Sequence, residues 1–547
     1  MVNTIKANYV DVIKRQIYFA ELKFGKTIME ITKLSDTMSP GEPFAMPGFV
    51  DAHVHIESSM LTPQYFASMV IPHGTMGVVC DPHEIANVLG SDGVEFMMDD
   101  AAKSPLKFFF AIPSCVPSTP FETNGAEFGP RQIQRLMPRG VALAEMMNYP
   151  GVLASDPDVI KKIDIAKKAN RPIDGHIPGI VDDRLEKYVA AGISTDHESY
   201  ELSEAERKIQ LGMKILIREG SAARNLDALF PLFFSHPDDI MVCTDDAHPD
   251  DIRARGHIDK FYRYARSRGV DLFEIFKVLL LNPVSHYKLN VGRLQIGDRA
   301  DFIVVNSLDD LDIRKVFIEG KLVSDGGSVC FSPGHAHKIN KFVSRTFSDD
   351  DFRVISPSLN PSVRVLGLVP SQLVSENLVW ATSAAPGDEI TADVASDTMK
   401  ISVVNRYALA PVVNAFIRGT GLKGGAMASS IAHDSHNVVV IGSSADLMRK
   451  AAETVFASKG GIAVVSPRGD VASLKLPIAG LMVGRDWNAV ADKYESLVLK
   501  AHRWTSTSLQ SPFMTMAFMS LVVIPSLKVS DRGLFDADKF QFTSLFV

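Results

Sequence analysis

Between residues 45 and 244 the chain alternates two rhythms, short β-prone apolar runs and segments of helical periodicity. The strand candidates are Ala45–Val54, Met76–Cys80, Lys107–Pro113, Gly140–Met146, Pro172–His176, Gly192–His197, Lys214–Arg218 and Asp239–Thr244. Helical patterns fall between them, at Pro63–Ile71, Pro157–Ala169, Asp183–Ala191, Ser203–Leu211 and Asp227–Phe233. Asp156-Pro157 supplies a cap and a first helical residue for one of these. Such alternation builds a parallel sheet, because each helix returns the chain to the start of the next strand. Eight units suit a closed (β/α)8 TIM-like barrel, although an open doubly wound sheet shows the same alternation.

The strand ends separate the two folds. His53-Val54-His55 follows the apolar AMPGFVDA. On a strand, residues i and i+2 face the same side, so both imidazoles can reach one divalent metal ion. An isolated motif of this kind carries little weight. At the C-terminal end of a first barrel strand it lies where barrel active sites form. Polar residues recur at later strand ends: Asp81, His83 and Glu84; Glu145; Asp174 and His176; Asp196, His197 and Glu198; Asp245 and Asp246. Any one of them alone reads as a helix cap or turn residue. Repetition in successive units points to a ring of ligands, whereas open sheets gather ligands at one switch point.

The flanks read differently. Residues 1–47 and 290–330 are short strands that pair into one small β domain around the barrel of 48–289. Residues 331–349 form a linker, and 350–547 an α+β domain with a buried strand at Val438–Gly442 and a helix at Ala445–Ala457. The Gly-rich stretch Gly419–Ser430 lacks the Gly-Lys-Ser/Thr of a phosphate loop and reads as tight packing. His433 and His436 either reach over the barrel mouth or serve a local capping and turn network, the second being favoured. The net charge of -7, with no run of Lys or Arg, argues against nucleic-acid and anionic-membrane partners. The apolar stretch Phe513–Leu527, broken by Thr515, Ser520 and Pro525, falls short of the roughly 20 residues a spanning helix needs. Four dispersed cysteines and no apolar N-terminal signal core fit a cytoplasmic protein.

Several long strings resemble the amidohydrolase superfamily and, within it, the adenine deaminase family. They are PGFVDAHVHIESSM, CDPHEIANVLG, AEMMNYPGV, DGHIPG and CTDDAHPDD, with GLKGGAMASSIAHDSHNVVVIG and PFMTMAFMSLVVIPSLKVSDRGLFD near the C-terminus. The resemblance implies two metal ions held by His53, His55, His176, His197 and Asp245. Glu145 bridges them where many relatives use a carboxylated lysine. Mn2+ or Fe2+ is the expected metal, with Zn2+ as a further option. The implied reaction is hydrolytic deamination of adenine to hypoxanthine by a metal-bridged hydroxide attacking purine carbon 6, a step of purine salvage. Asp245 would take the water proton and Glu84 would donate one. Asp81 and His83 would hold an additional metal or orient Glu84, and Glu57 would support a histidine from behind. Asp246 is the alternative to Asp245. A homo-oligomer, most simply a dimer, is the expected assembly.

Three rival readings remain. Another binuclear amidohydrolase, acting on a cyclic amide or a different amino-purine, would share the fold and metals. A catalytically silent scaffold would lack a ligand, and none is missing. His55-Ile56-Glu57 matches the HxE of cytidine-type deaminases, but the PCxxC they require is absent.

Overall fold

The computed structural model describes residues 2–221, 223–369, 372 and 374–547. Eight parallel strands form the central barrel: β1 (Phe49–Val54), β2 (Thr75–Cys80), β3 (Lys107–Ile112), β4 (Ala142–Met146), β5 (Ile173–Gly175), β6 (Thr195–Asp196), β7 (Lys214–Arg218) and β8 (Ile240–Cys243). They run as two arcs, β1 to β5 and β6 to β8, each paired in chain order. Ser194 N–H donates to the Ile173 carbonyl at 2.9 Å and joins the arcs. The ring closes between β1 and β8. Asp245 N–H donates to the His53 carbonyl at 3.0 Å, and His55 N–H donates to the Asp245 carbonyl at 3.2 Å.

A buried carboxylate pins that seam. Asp51, on β1, accepts from the Thr244 hydroxyl at 2.5 Å and from Thr244 N–H at 3.1 Å. His257 Nε2 stands 3.2 Å from the same group, and its Nδ1 meets the Thr75 hydroxyl at 2.8 Å. Strands one and eight therefore hold one register, which matters because a one-residue slip would turn every side chain to the other face.

The expected strand Ala45–Val54 is two strands. Pro47 has no N–H to give a ladder, and a Cβ at Gly48 would stand 2.4 Å from Met76 and 2.6 Å from the Gly74 carbonyl. Phe44–Met46 consequently leaves the barrel and joins an eight-stranded sheet. That sheet combines Asn3–Asp11, Gln16–Phe24 and Ile28–Ser35 with Phe302–Val305, Ile313–Ile318, Lys321–Asp325 and Ser328–Val329. Two other elements are shorter than expected. Only Thr195–Asp196 of Gly192–His197 pairs as strand, and the helix expected at Asp227–Phe233 splits into Leu226–Leu229 and Leu232–Ser235 around Pro231.

Beyond residue 350 a second eight-stranded sheet forms, with Thr398–Val404 and Val438–Gly442 at its centre. Helix Ala445–Ala457 covers one face with Met448, Ala451, Ala452 and Val455. The other face, through Met399, Ile401, Met427 and Ile441, joins a core continuous with the barrel. The loop after β3 clasps this unit. Thr123 N–H donates to Asp531 at 2.8 Å, and the Asn437 amide donates to the Thr123 carbonyl at 2.9 Å. No helix among the described residues is long and apolar enough to cross a membrane.

Replacing Asp51 with Ala strands the Thr244 donors in a dry seam. Losing hydrogen bonds to a buried charged group predicts a loss of about 2–4 kcal/mol, read from urea unfolding midpoints. An unchanged midpoint would show that the seam closes without Asp51.

Candidate metal and catalytic centre

The barrel closure sets the first cluster. His53 and His55 project from the same face of β1, and their Nε2 atoms lie 3.1 Å apart. The Oδ1 of Asp245 is 3.5 Å from His53 Nε2 and 3.0 Å from His55 Nε2. His55 Nδ1 faces the Asp81 carbonyl at 3.0 Å, so it carries the ring proton and leaves Nε2 as the lone pair turned inward. Asp245 adopts a left-handed backbone, φ 54°. This turn directs Asp245 toward the histidines and Asp246 away from them.

Glu145, at the end of β4, lies between two clusters. Its Oε1 is 3.3 Å from His55 and 3.5 Å from His83. Its Oε2 is 2.7 Å from His176 and 3.3 Å from His197. Tyr188 fixes the strand ends that carry these groups, donating to the Met146 carbonyl at 2.8 Å and accepting from His176 N–H at 3.0 Å. Burial alone would raise the Glu145 carboxyl, but bonds from His176, His197 and His55 hold it well below the usual range.

These donors fit divalent cations. Lone-pair nitrogens and carboxylate oxygens converge on both sides of one buried carboxylate, and mixed imidazole and carboxylate sets suit Mn, Fe and Zn. His53, His55, Glu145, His197 and Asp245 are all at most 5 % exposed, whereas the His176 side chain is 28 % exposed. The centre therefore opens toward β5.

Two residues behind the ligand candidates carry no motif of their own. Arg218, at the end of β7, donates to Asp245 Oδ2 at 2.7 Å and to both oxygens of Glu198. Burial would raise the Asp245 carboxyl, but Arg218 together with His53, His55 and His197 holds it well below the usual range, with Oδ1 toward the histidines. Glu198 stands 3.4 Å from His197 and 3.8 Å from His176, and the Tyr200 hydroxyl accepts from Arg218 at 3.0 Å. A charged residue ending an otherwise apolar strand, as in Lys214–Arg218, is the one signal in the sequence that marks Arg218.

A second carboxyl system sits beside the first. Ser58 Oγ is 2.9 Å from Glu84 Oε1 and 2.6 Å from Asp246 Oδ1. Ser58 thus sits between the two carboxyls, its hydroxyl within donor reach of both. Burial, opposed chiefly by His433, raises the Glu84 carboxyl. Asp81 accepts from the His83 ring at 3.1 Å, and its other oxygen has no partner. Glu57 accepts from Ile85 N–H at 3.1 Å at the start of helix His83–Leu89, which carries Glu84. His433 and His436 face the site from the C-terminal unit. His433 Nδ1 is 3.8 Å from Glu84 Oε1, and His436 Nε2 is 3.9 Å from Glu84 Oε2. The favoured reading of these two as a purely local network does not hold.

Residues 44–323 match the amidohydrolase family and residues 372–541 match the adenine deaminase C-terminal domain. An adenine deaminase of Methanosarcina barkeri is 45% identical over 99% of both chains. That of Salinibacter ruber is 46% identical over 94% of both. The chain belongs to the adenine deaminase family. Family membership and the clustered His, Asp and Glu side chains together make the centre a divalent-metal site. In this adenine deaminase family member the barrel supplies the side chains of the clusters around Glu145 and Asp245, while the C-terminal domain supplies the histidines around Glu84.

Arg218 is a buried cation between two buried carboxylates. Arg218→Met, in protein stripped of metal, is expected to lower unfolding stability by about 3–5 kcal/mol by leaving both unpaired. Thermal unfolding of the stripped variant checks this, and an unaltered transition would remove Arg218 from its assigned place.

Proposed function

We propose that this chain hydrolyses adenine to hypoxanthine and ammonia with two divalent cations at the barrel mouth. The reaction class rests on Glu145, whose two oxygens face separate imidazole clusters. The substrate rests on the adenine deaminases matched over nearly the whole chain. His53, His55 and Asp245 would hold one cation, His176 and His197 the other, and Glu145 both. Mn2+ or Fe2+ suits this set, with Zn2+ as the further option. When bound, such cations supply Lewis acidity that brings the pKa of a water toward neutrality.

The chain's own residues divide the proton work. Asp245 Oδ2 is tied to Arg218, so Oδ1, which faces His53 and His55, is the atom assigned to accept the proton of the attacking water. Glu84 is assigned the donated proton, since burial raises its carboxyl and it faces Asp246 across Ser58. It delivers that proton to the amine leaving carbon 6. Water adds, ammonia departs, and the proton gained by Asp245 balances the one lost by Glu84. Phe518 stacks on His433 at 4.8 Å between ring centres and helps to exclude bulk water from Glu84.

Protein loaded in turn with Mn2+, Fe2+ and Zn2+ is expected to release ammonia from adenine and not from adenosine, cytosine or dihydroorotate. Absence of turnover with two metals verified per chain would favour a different amino-purine or a cyclic amide. Asp245→Asn and Glu84→Gln are each expected to lower kcat about 10²–10⁴-fold while the folded protein persists. Because Glu84 acts as an acid, kcat/KM should fall as pH rises through its raised pKa. The Gln variant should lose that alkaline limb; retention of the limb would assign it to another group.

A further inference from the structure

Two buried polar atoms beside the site face each other without bonding. His436 Nε2 and Glu84 Oε2 are 3.9 Å apart, beyond hydrogen-bond reach, and neither has another partner. Both residues are fully buried. Leaving two buried polar groups unpaired costs about 1–3 kcal/mol each, so such a pair calls for a third group.

The identity of the donor is fixed locally. Ala432 N–H donates to His436 Nδ1 at 3.2 Å, so the neutral ring carries its proton on Nε2. The backbone around it is held on all sides. His436 N–H returns to the Ala432 carbonyl at 2.7 Å, and the buried Arg406 guanidinium donates to the His436 carbonyl at 3.4 Å. Arg406 is itself tied to the Ala479 carbonyl at 2.5 Å and to Asn340 at 3.2 Å. Tyr407 donates to the Ser435 carbonyl at 2.5 Å. The imidazole is thus a rigid single donor, aimed at the gap beside the carboxyl.

A purine fills such a gap along one edge. Adenine presents nitrogen 7 as an acceptor beside the 6-amine as a donor. These two atoms are separated by three bonds, against two for nitrogen 1 and the amine, so the nitrogen 7 edge is the wider and suits the wide gap. Resting on the deaminase reading above, we infer that His436 is a specificity-determining residue of the C-terminal domain. Its Nε2–H donates to nitrogen 7 of adenine while Glu84 Oε2 faces the departing amine.

The test pairs an atom of the substrate with an atom of the protein. Metal-loaded full-length wild type, His436→Leu and His436→Gln are assayed for ammonia release from adenine, and for competitive inhibition by 7-deazaadenine and 1-deazaadenine. The glutamine amide restores a donor near the Nε2 position. Wild type should bind 7-deazaadenine about 10–100-fold more weakly than adenine, the loss of one buried hydrogen bond. In His436→Leu that ratio should collapse to about twofold, and Gln should recover part of it. A ratio unchanged in the Leu variant overturns the proposal. Coupling to 1-deazaadenine in place of 7-deazaadenine also overturns it, by moving the donor to nitrogen 1. If the Leu variant does not fold, the Gln variant and the wild-type discrimination still decide, since equal binding of adenine and 7-deazaadenine by wild type removes the contact. Failure of wild type to deaminate adenine at all, with metals verified, would instead reject the deaminase reading on which the contact rests.

Discussion

Closure of β1 on β8 is the constraint from which the rest of the centre follows. The two backbone bonds between Asp245 and the His53-Val54-His55 segment do more than complete the ring. They bring a strand-eight carboxylate within 3.5 Å of both strand-one imidazoles although the residues are far apart in sequence. Asp51 makes this arrangement costly to shift, because its hydrogen bonds to Thr244 are satisfied in one register only. The same seam thus sets fold and chemistry, and Asp51, which also accepts from His53 N–H at 3.3 Å, belongs to both.

The second constraint is cover. A barrel mouth left open would put these carboxylates and imidazoles in bulk water, where their interactions weaken. The C-terminal sheet shares its inner face with the barrel core, and the loop after β3 is bonded to it through Thr123, Asp531 and Asn437. The region His433–Asn437 is consequently carried to Glu84 by rigid packing. Approach remains on the β5 side, where the His176 side chain is the most exposed of the cluster.

Much of this was legible in the sequence because it depends on short-range periodicity. The spacing of His53 and His55 is a strand period, and the recurrence of polar residues at successive strand ends marks the mouth of a parallel barrel. Length and position of strands were less legible. Ala45–Val54 reads as one apolar run, and only the close approach of Met76 and Gly74 to Gly48 shows why it breaks. The choice between Asp245 and Asp246 hinges on a left-handed residue at the strand end, which adjacent aspartates do not reveal. Arg218 and Ser58 act through partners on other strands, and His433 and His436 through a separate domain. Long-range pairing of that kind leaves no periodic trace in one chain.

Two carboxyls of the site, Asp245 and Glu84, sit in opposed environments. Both are buried, and burial pushes both toward the protonated form. They part because of their neighbours. Asp245 has a guanidinium at 2.7 Å and imidazoles on its other oxygen, so it remains a carboxylate. Glu84 has no guanidinium or ammonium against it, shares a single serine proton with Asp246, and faces histidines no nearer than 3.8 Å. Divergent environments around paired titratable groups are what assign acid and base roles in a site of this kind. Here the divergence is drawn from two domains: a barrel arginine lies against Asp245, and the C-terminal histidines stand 3.8 and 3.9 Å from Glu84.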